Sequence, residues 1–457
     1  MAFFTQGGRR RGTSSGAVPG RRLAPTLWLL LIAASVAVPW WVLLSAVRGQ
    51  QLGTVHLLSL AAGLAAMSLL AAVFVLPSRL RSFTSHLGLE RLMRQHRALA
   101  LLAVLLVLAH VGFVVAHSDE RLAVFDLRVA PPRVWAATVA TVALLLLVGL
   151  ALTRRSRSPR YEGWRLAHVL LANTVLVATA LHVVWQHDLT RHGQGRVWFA
   201  GLGAILVAVT VYRWGWRPLR ARRQSYVVDQ VVHGPGAISV VLHASGHTGV
   251  PFRPGQFAWL KIGASPFVFE EHPFTIASTA TQPWRKEFAI RPLGDFAESL
   301  VGLRPGSRVY LDGPHGNFTL DGLHSSAFVF IAGGVGVTPM LSMLRTMAER
   351  GDRRRAVLIV AGRTADTLLH RADHEHLDAR LDLHVVEILE EPPQDWRGEV
   401  GWLTEAVLHA AIPQHRVPGK VDFFVCGPAP MVAATVRILD DLGVAQRRVH
   451  TELFDVV

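Results

Sequence analysis

Six runs of predominantly apolar residues, near 26–47, 54–76, 97–117, 133–152, 165–186 and 196–214, restrict what this chain can fold into. A helix of roughly 20 residues rises through the ~30 Å of hydrocarbon in a bilayer. In lipid every backbone N–H and C=O must find its partner within the protein, which leaves the helix for runs of this length. The alternative is a soluble bundle with buried helices, and the arginines argue against it. Five arginines fall in each of the stretches 9–22, 79–97, 154–165 and 213–223, whereas the intervening loops hold six: Arg48, Arg121, Arg128, Arg133, Arg191 and Arg196. Such a bias is the positive-inside pattern of an integral plasma-membrane protein with six spans and both termini cytoplasmic. The net charge of +15 then reports topology, and no nucleic-acid partner is expected. Pro39 is a kink candidate in the first run, and Trp40 and Trp41 suit an interface with lipid headgroups. The Gly-, Arg- and Ser-rich residues 1–25 read as a disordered basic segment.

Two of the runs carry histidines at matched positions. RQHRALALLAVLLVLAH places His96 and His110 fourteen residues apart, and AHVLLANTVLVATALH places His168 and His182 at the same spacing. Fourteen residues turn a helix to within ~40° of a whole number of turns and rise ~21 Å. Each helix therefore presents two imidazoles on one face, and because both helices cross in the same direction, His96 is level with His168 and His110 with His182. Facing imidazoles in a bundle are an axial ligand pair for haem. For any one histidine a hydrogen bond to a neighbouring helix is the simpler reading, but it leaves the repeated spacing unexplained. Polar groups at membrane depth are costly and mark function. His117, seven residues past His110, is a rival outer ligand, while His56, His187 and His192 fall near the outer surface. The single cysteine, Cys426, excludes an intramolecular disulfide, a cysteine-ligated iron–sulfur cluster and a CxxCH haem attachment.

After residue 216 the pattern changes. A basic stretch, RPLRARRQ, leads to strand-like QSYVVDQVV and AISVVLHA, and from Ser325 apolar strands alternate with helical segments, as in a parallel α/β domain. FVFIAGGVGVTPMLSML runs from a strand through Gly333, Gly334 and Gly336 into a helix near Thr338 and Pro339. Glycines there permit close backbone approach, and the helix start offers unpaired N–H groups to a pyrophosphate. VLIVAGRT ends a second strand at Arg363, which suits the 2′-phosphate of NADPH better than the free ribose of NADH, with a solvated loop arginine as the alternative.

HPFTIAS, at 272–278, resembles the flavin-binding signature of the NADPH oxidase and ferric reductase superfamily. PGQF (254–257) upstream of it, and IRPLGDFAESL (290–300), GPHGNF (313–318) and FFVCGP (423–428) after it, stand in the order of that family, and the likeness covers the chain from about Arg79 onward. The resemblance implies that His272, Pro273, Phe274 and Thr275 line FAD, with Thr275 near the isoalloxazine, and that Arg291 and Gly294 face its pyrophosphate. It implies that Cys426, Gly427 and Pro428 stand beside the nicotinamide and that Phe454 covers the flavin ring. Thr275, Cys426 and Phe454 are thus the candidate catalytic residues. On its own Cys426 reads equally as a packed thiol, and three residues follow Phe454 here.

The expected architecture is a membrane domain with a six-helix transmembrane bundle at 26–216, an antiparallel β-barrel FAD domain at 217–322 and a parallel α/β NADPH-binding domain at 323–457. The expected reaction carries electrons from cytosolic NADPH, or NADH, through FAD and two b-type haems to an outer acceptor. A flavin takes a hydride and releases single electrons, which is why it stands between nicotinamide and haem. With both axial positions filled, the acceptor is reduced at the haem edge: oxygen to superoxide, or a ferric chelate or quinone. The family's oxidases carry a histidine four residues past the outer ligand, and here that residue is Val114, which weakens a histidine-assisted oxygen site. Outer-loop His187, Arg191, His192 and Arg196 suit an anionic chelate, or form an ordinary basic loop. A non-catalytic haem sensor or electron-transfer subunit is the reading from another class, and it leaves the nicotinamide module without a use. No EF-hand loop is present, and no obligate protein partner is indicated beyond the membrane lipid.

Overall fold

The structure is a computed structural model, and it describes residues 41, 53–80, 89–118, 126–153, 161–186, 193–234, 236–292, 294–412 and 420–453. Five helices among the described residues are long and apolar enough to cross a membrane. They are α1 (Thr54–Val75), α2 (Leu89–His117), α3 (Pro132–Leu152), α4 (Tyr161–Gln186) and α5 (Gly193–Val211). The first expected span, at 26–47, lies outside the described residues apart from Trp41, as does the basic segment 1–25. Large apolar side chains such as Leu105, Leu146, Val177 and Val207 point outward, as lipid-facing residues do.

The helices pack as two antiparallel hairpins, α1 with α2 and α3 with α4. Small residues on α1, among them Ala62, Gly63 and Ala66, lie along the inner face and let α2 come close. Sequence alone ended the last span near residue 214; instead α5 continues through a π-turn (Tyr212–Trp216) into a helix at Arg217–Arg223. Leu, Ala and Arg are strong helix formers, and Pro218 falls in the first turn of that last piece, where a missing N–H costs little. The basic stretch is therefore the end of a helical rod. It delivers the chain directly to β1, which opens at Tyr226.

Strands β1 (Tyr226–Gly234), β2 (Ala237–Ala244), β3 (Phe257–Ile262), β4 (His272–Thr275), β5 (Arg285–Ile290) and β6 (Arg308–His315) form one antiparallel sheet in the order β4-β3-β6-β1-β2-β5. Its two outermost strands meet through a bridge between Ile276 and Phe288, and the Ala277 N–H donates to the Glu287 carbonyl at 2.7 Å. The sheet thus curls round a core of Tyr226, Val240, Leu242, Leu260, Phe288 and Val309.

The remaining strands, β7 (Ala327–Gly333), β8 (Arg355–Gly362), β9 (Leu383–Leu389), β10 (Glu399–Val400), β11 (Val421–Gly427) and β12 (Val449–Leu453), form a parallel sheet in the order β10-β9-β8-β7-β11-β12. All seven residues of β7 and of β11 are buried, as expected for central strands covered on both faces. The chain leaves β7 toward β8 and β9 and returns on the other side as β11. The order therefore reverses between β7 and β11, and ligands of such sheets bind in the crevice at the carboxyl ends of that strand pair.

Candidate redox sites

The matched histidines meet. The ring centroids of His96 and His168 lie 6.4 Å apart, and those of His110 and His182 also 6.4 Å. Two imidazoles on opposite sides of one iron, each about 2 Å from it through Nε2, have centroids about 6.3 Å apart. Both pairs have the separation of trans axial ligands.

Backbone carbonyls brace the rings from behind. The His96 Nδ1–H donates to the Val73 carbonyl at 3.0 Å, the His110 Nδ1–H to the Ser59 carbonyl at 2.8 Å, and the His182 Nδ1–H to the Arg133 carbonyl at 2.9 Å. Each carbonyl belongs to the helix preceding the histidine in its hairpin. This arrangement holds Nε2 as the lone-pair nitrogen and fixes ring orientation, which is how proteins prepare imidazole for a metal. Gly63 makes room for it, since a Cβ there would lie 2.9 Å from His110 Nδ1. His117 stands elsewhere, its ring 5.0 Å from that of His56. The ring that lies opposite His182 is therefore that of His110, not of His117.

Below the inner pair, three membrane helices dock on the curled sheet through a buried ion cluster. Glu271, the residue before the HPFT strand β4, takes Arg79 at 2.9 Å and Arg165 at 2.5 Å on one oxygen and Lys261 at 3.4 Å on the other. Asp312 of β6 takes Arg79 at 3.0 Å and the Nε–H of Arg217 at 3.0 Å. The Arg79 guanidinium also lies 3.5 Å over the Trp259 ring, and Arg165 donates to the Phe269 carbonyl at 3.0 Å. Burial alone would raise the Glu271 carboxyl pKa; Arg79, Arg165, Lys261 and Arg217 outweigh it and hold the group well below the usual carboxylate range. Sequence reasoning missed this cluster because it counted the helix-end arginines as topology markers. The available signal was Glu271 itself, an acid beside an otherwise apolar strand motif.

The expected flavin residues gather at the adjoining face. His272 stacks on Phe296 at 4.2 Å, Phe274 stacks on the same ring at 6.1 Å, and Thr275 is buried. Pro273 pairs with Trp259 across the β3–β4 ladder. Gly294, at φ 84°, opens the short helix that carries Phe296. Arg291 reaches toward the glycine loop, with Nη1 3.6 Å from where a Gly334 Cβ would stand.

At the strand-order reversal the expected nicotinamide residues also converge. A Cβ on Gly336 would collide with the Cys426 carbonyl, and one on Gly333 would lie 2.9 Å from Pro428. Gly427 packs on the Gly333 backbone. The loop can pass this close only as glycine. Thr338 Oγ1 donates to the Val335 carbonyl at 2.9 Å, tightening the entry to the helix Val337–Arg350, in which Pro339 is buried. Cys426 is fully buried; burial, aided by Glu452, pushes its thiol pKa well up, and its backbone carbonyl packs against Gly336. Arg363 is 70% exposed and paired with Glu391 at 2.9 Å. Phe454 lies outside the described residues.

Arg345 joins the antiparallel-sheet domain to the parallel-sheet domain. It donates to the Ala277 carbonyl and to Glu287, both at 3.0 Å, and to Asp373 at 3.1 Å.

Comparison with known proteins follows this division. Residues 62–179 match the family model for the ferric reductase like transmembrane component, and residues 330–437 match that for the oxidoreductase NAD-binding domain. Over 217 residues the chain is 34% identical to the reductase component of propane 2-monooxygenase from Rhodococcus jostii (strain RHA1), covering 45% of this chain and 56% of that protein. It is 30% identical over 190 residues to NADH-cytochrome b5 reductase 1 of Pyricularia oryzae, covering 40% of this chain and 61% of the relative. Among solved structures, the ferredoxin reductase in carbazole 1,9a-dioxygenase aligns at 26% identity and a TM-score of 0.43, over 50% of this chain and 69% of that one. The chain thus spans less than two thirds of these curated relatives.

Removing Glu271 leaves several buried cations without their shared carboxylate, a loss of about 3–5 kcal/mol. Glu271→Ala should lower the stability of the full chain by that order in denaturant unfolding, and Glu271→Gln by less. Because the folded-state pKa is depressed below its usual 4.5, the stabilisation is present above pH 4.5 and lost only as pH falls through the lower folded value. Identical unfolding curves for wild type and Glu271→Ala would show that the cluster contributes nothing.

Proposed function

We propose that this chain, which joins a ferric reductase-like transmembrane component to an oxidoreductase NAD-binding domain, is an NAD(P)H-dependent enzyme that moves electrons across a membrane. The reading is that FAD and two haem b groups carry them to an acceptor on the far side. The observation that supports it best is the pair of 6.4 Å imidazole contacts, stacked on one helix pair above the docked HPFT strand. When bound, the flavin would accept hydride and the haems would pass electrons singly.

The chain's own residues supply the remainder of the mechanism. His96 and His168 would hold the inner haem, and His110 and His182 the outer one, each braced ring keeping its Nδ1 proton on a carbonyl. His272, Pro273, Phe274 and Thr275 would line the flavin, with Arg291 and Gly294 toward its pyrophosphate. Gly333, Gly334, Gly336, Thr338 and Pro339 would receive the nucleotide phosphates, with Gly427 and Pro428 beside the nicotinamide. NADPH is the favoured donor, through Arg363; Glu391 competes for the same guanidinium, which leaves NADH usable. Because both imidazoles of each pair would be taken up in holding the haem, the acceptor would be reduced beside the outer group without binding its metal. Oxygen, which needs no binding groups of its own, is the first reading, with superoxide as product. A ferric chelate is the second, favoured by the match to the ferric reductase component.

The deciding experiment feeds NADPH to purified protein loaded with FAD and haem and offers oxygen, a ferric chelate and a quinone in parallel. Superoxide dismutase-sensitive reporter reduction is expected; the absence of NADPH oxidation with every acceptor would remove the proposal. His110→Ala should halve the haem content, read from the pyridine haemochrome spectrum, while flavin remains. Arg363→Ala should raise KM for NADPH by about tenfold, the loss of one charge-assisted hydrogen bond, and leave KM for NADH nearly unchanged. Glu391→Gln should shift KM for NADPH the other way. Equal effects on both nucleotides would refute recognition of the 2′-phosphate.

A further inference from the structure

His56 and His117 are absorbed by none of the sites above. They come from the two helices of the first hairpin, at the end away from the curled sheet, and their ring centroids lie 5.0 Å apart at an interplanar angle of 61°. His117 is exposed and His56 partly so. The pair stands directly beyond the outer haem ligands. His117 is seven residues past His110 on nearly the same helix face, about 10 Å further along. His56 is three residues before Ser59, whose carbonyl braces His110.

The separation is informative when set beside the other two pairs. With nitrogen–metal bonds of about 2 Å, imidazoles opposed across one ion have centroids about 6.3 Å apart, whereas 5.0 Å corresponds to an angle near 105° at the ion. That angle is close to tetrahedral and leaves the remaining positions open to water. A haem ring cannot be held between ligands so bent. A single ion can. Two neutral nitrogens select the ions that imidazole prefers, zinc and copper(II) above all, over hard cations such as magnesium or calcium, which demand oxygen.

We propose that His56 and His117 form a binding site for a divalent transition-metal ion at the outer mouth of the bundle. Its affinity rests only on these two side chains and their hairpin. Its consequence rests on the electron-transfer reading above: a redox-inert ion seated there obstructs access of the acceptor to the His110/His182 level while leaving the inner steps intact.

Full-length protein loaded with haem and flavin is titrated with Zn²⁺ by calorimetry and with Cu²⁺ by electron paramagnetic resonance. One ion per chain is expected, with nitrogen hyperfine structure on the copper signal, and Zn²⁺ should slow acceptor reduction without slowing haem reduction by NADPH. His117→Ala should weaken binding by about tenfold or more, and a His56→Gln/His117→Gln double variant should abolish the nitrogen hyperfine structure at unchanged haem content. If the double variant loses haem, the single His117→Ala decides. Equal binding by wild type and variants, or no binding at all, overturns the site. The two readings fail separately. Ion binding in a protein whose haems NADPH cannot reduce keeps the site and removes the electron path, and normal haem reduction without ion binding does the reverse.

Discussion

The placement of the membrane helices, with their imidazole pairs, against the HPFT strand depends on one buried carboxylate. Glu271 is 4% exposed and neutralised by cations from the end of α1, the start of α4 and strand β3. A lone carboxylate in that position would be expelled or protonated; surrounded by arginines it remains charged, and removing either side leaves charge stranded in a dry place. Arg79, one of the partners, has a left-handed backbone at φ 55° and is itself buried. A non-glycine residue holds that conformation only when its surroundings over-determine it. Here Glu271, Asp312 and the Trp259 ring do so. Arg165 is one helical turn before His168, so the contact that fixes the HPFT strand also fixes the helix bearing an inner imidazole.

Within the bilayer the governing constraint is the cost of polar atoms. Each hairpin meets it internally: a carbonyl on the first helix accepts the proton of a histidine on the second. A helix carbonyl has two lone pairs, so Ser59 and Val73 can keep their own helical bonds while accepting a ring N–H. The opposite nitrogen then faces the other hairpin. The two hairpins are thus complementary halves, and their seam carries both imidazole pairs.

The sequence revealed much of this, but unevenly. Matched spacing at His96/His110 and His168/His182 was legible because helical geometry is rigid enough for fourteen residues to act as a length. The glycine turn after β7 was legible because glycine is the only residue that can lie on Cys426 and Pro428 so closely. The ion cluster was not, since its partners are 106 and 233 positions apart and pairing at that range has no local signature. His117 stayed a rival to His110 in the sequence because both lie on nearly the same face; in the structure His110 lies opposite His182, and His117 lies beside His56 of α1. Arg363 looked like a free cation until the turn after β9 supplied Glu391. The last helix outran its apolar pattern because arginine-rich sequence in water is as helical as leucine-rich sequence in lipid.

The segment from Glu271 to Ala277 shows how one short strand serves two partners. Its first residue is held by the membrane helices through Arg79 and Arg165, and the carbonyl of its last by Arg345 of the nucleotide domain. Arg345 is in turn fixed by Glu287 on β5 and Asp373 beyond β8. Between these anchors lie His272, Pro273, Phe274 and Thr275. A group resting on them is registered at one end against the imidazoles and at the other against the glycine loop. Hydride transfer tolerates only a near-contact geometry, and in the function proposed above that geometry would rest on ion pairs outside the contact itself. These seven residues cannot relax at one end without moving the other. The membrane helices and the parallel-sheet domain are therefore mechanically linked through this one segment.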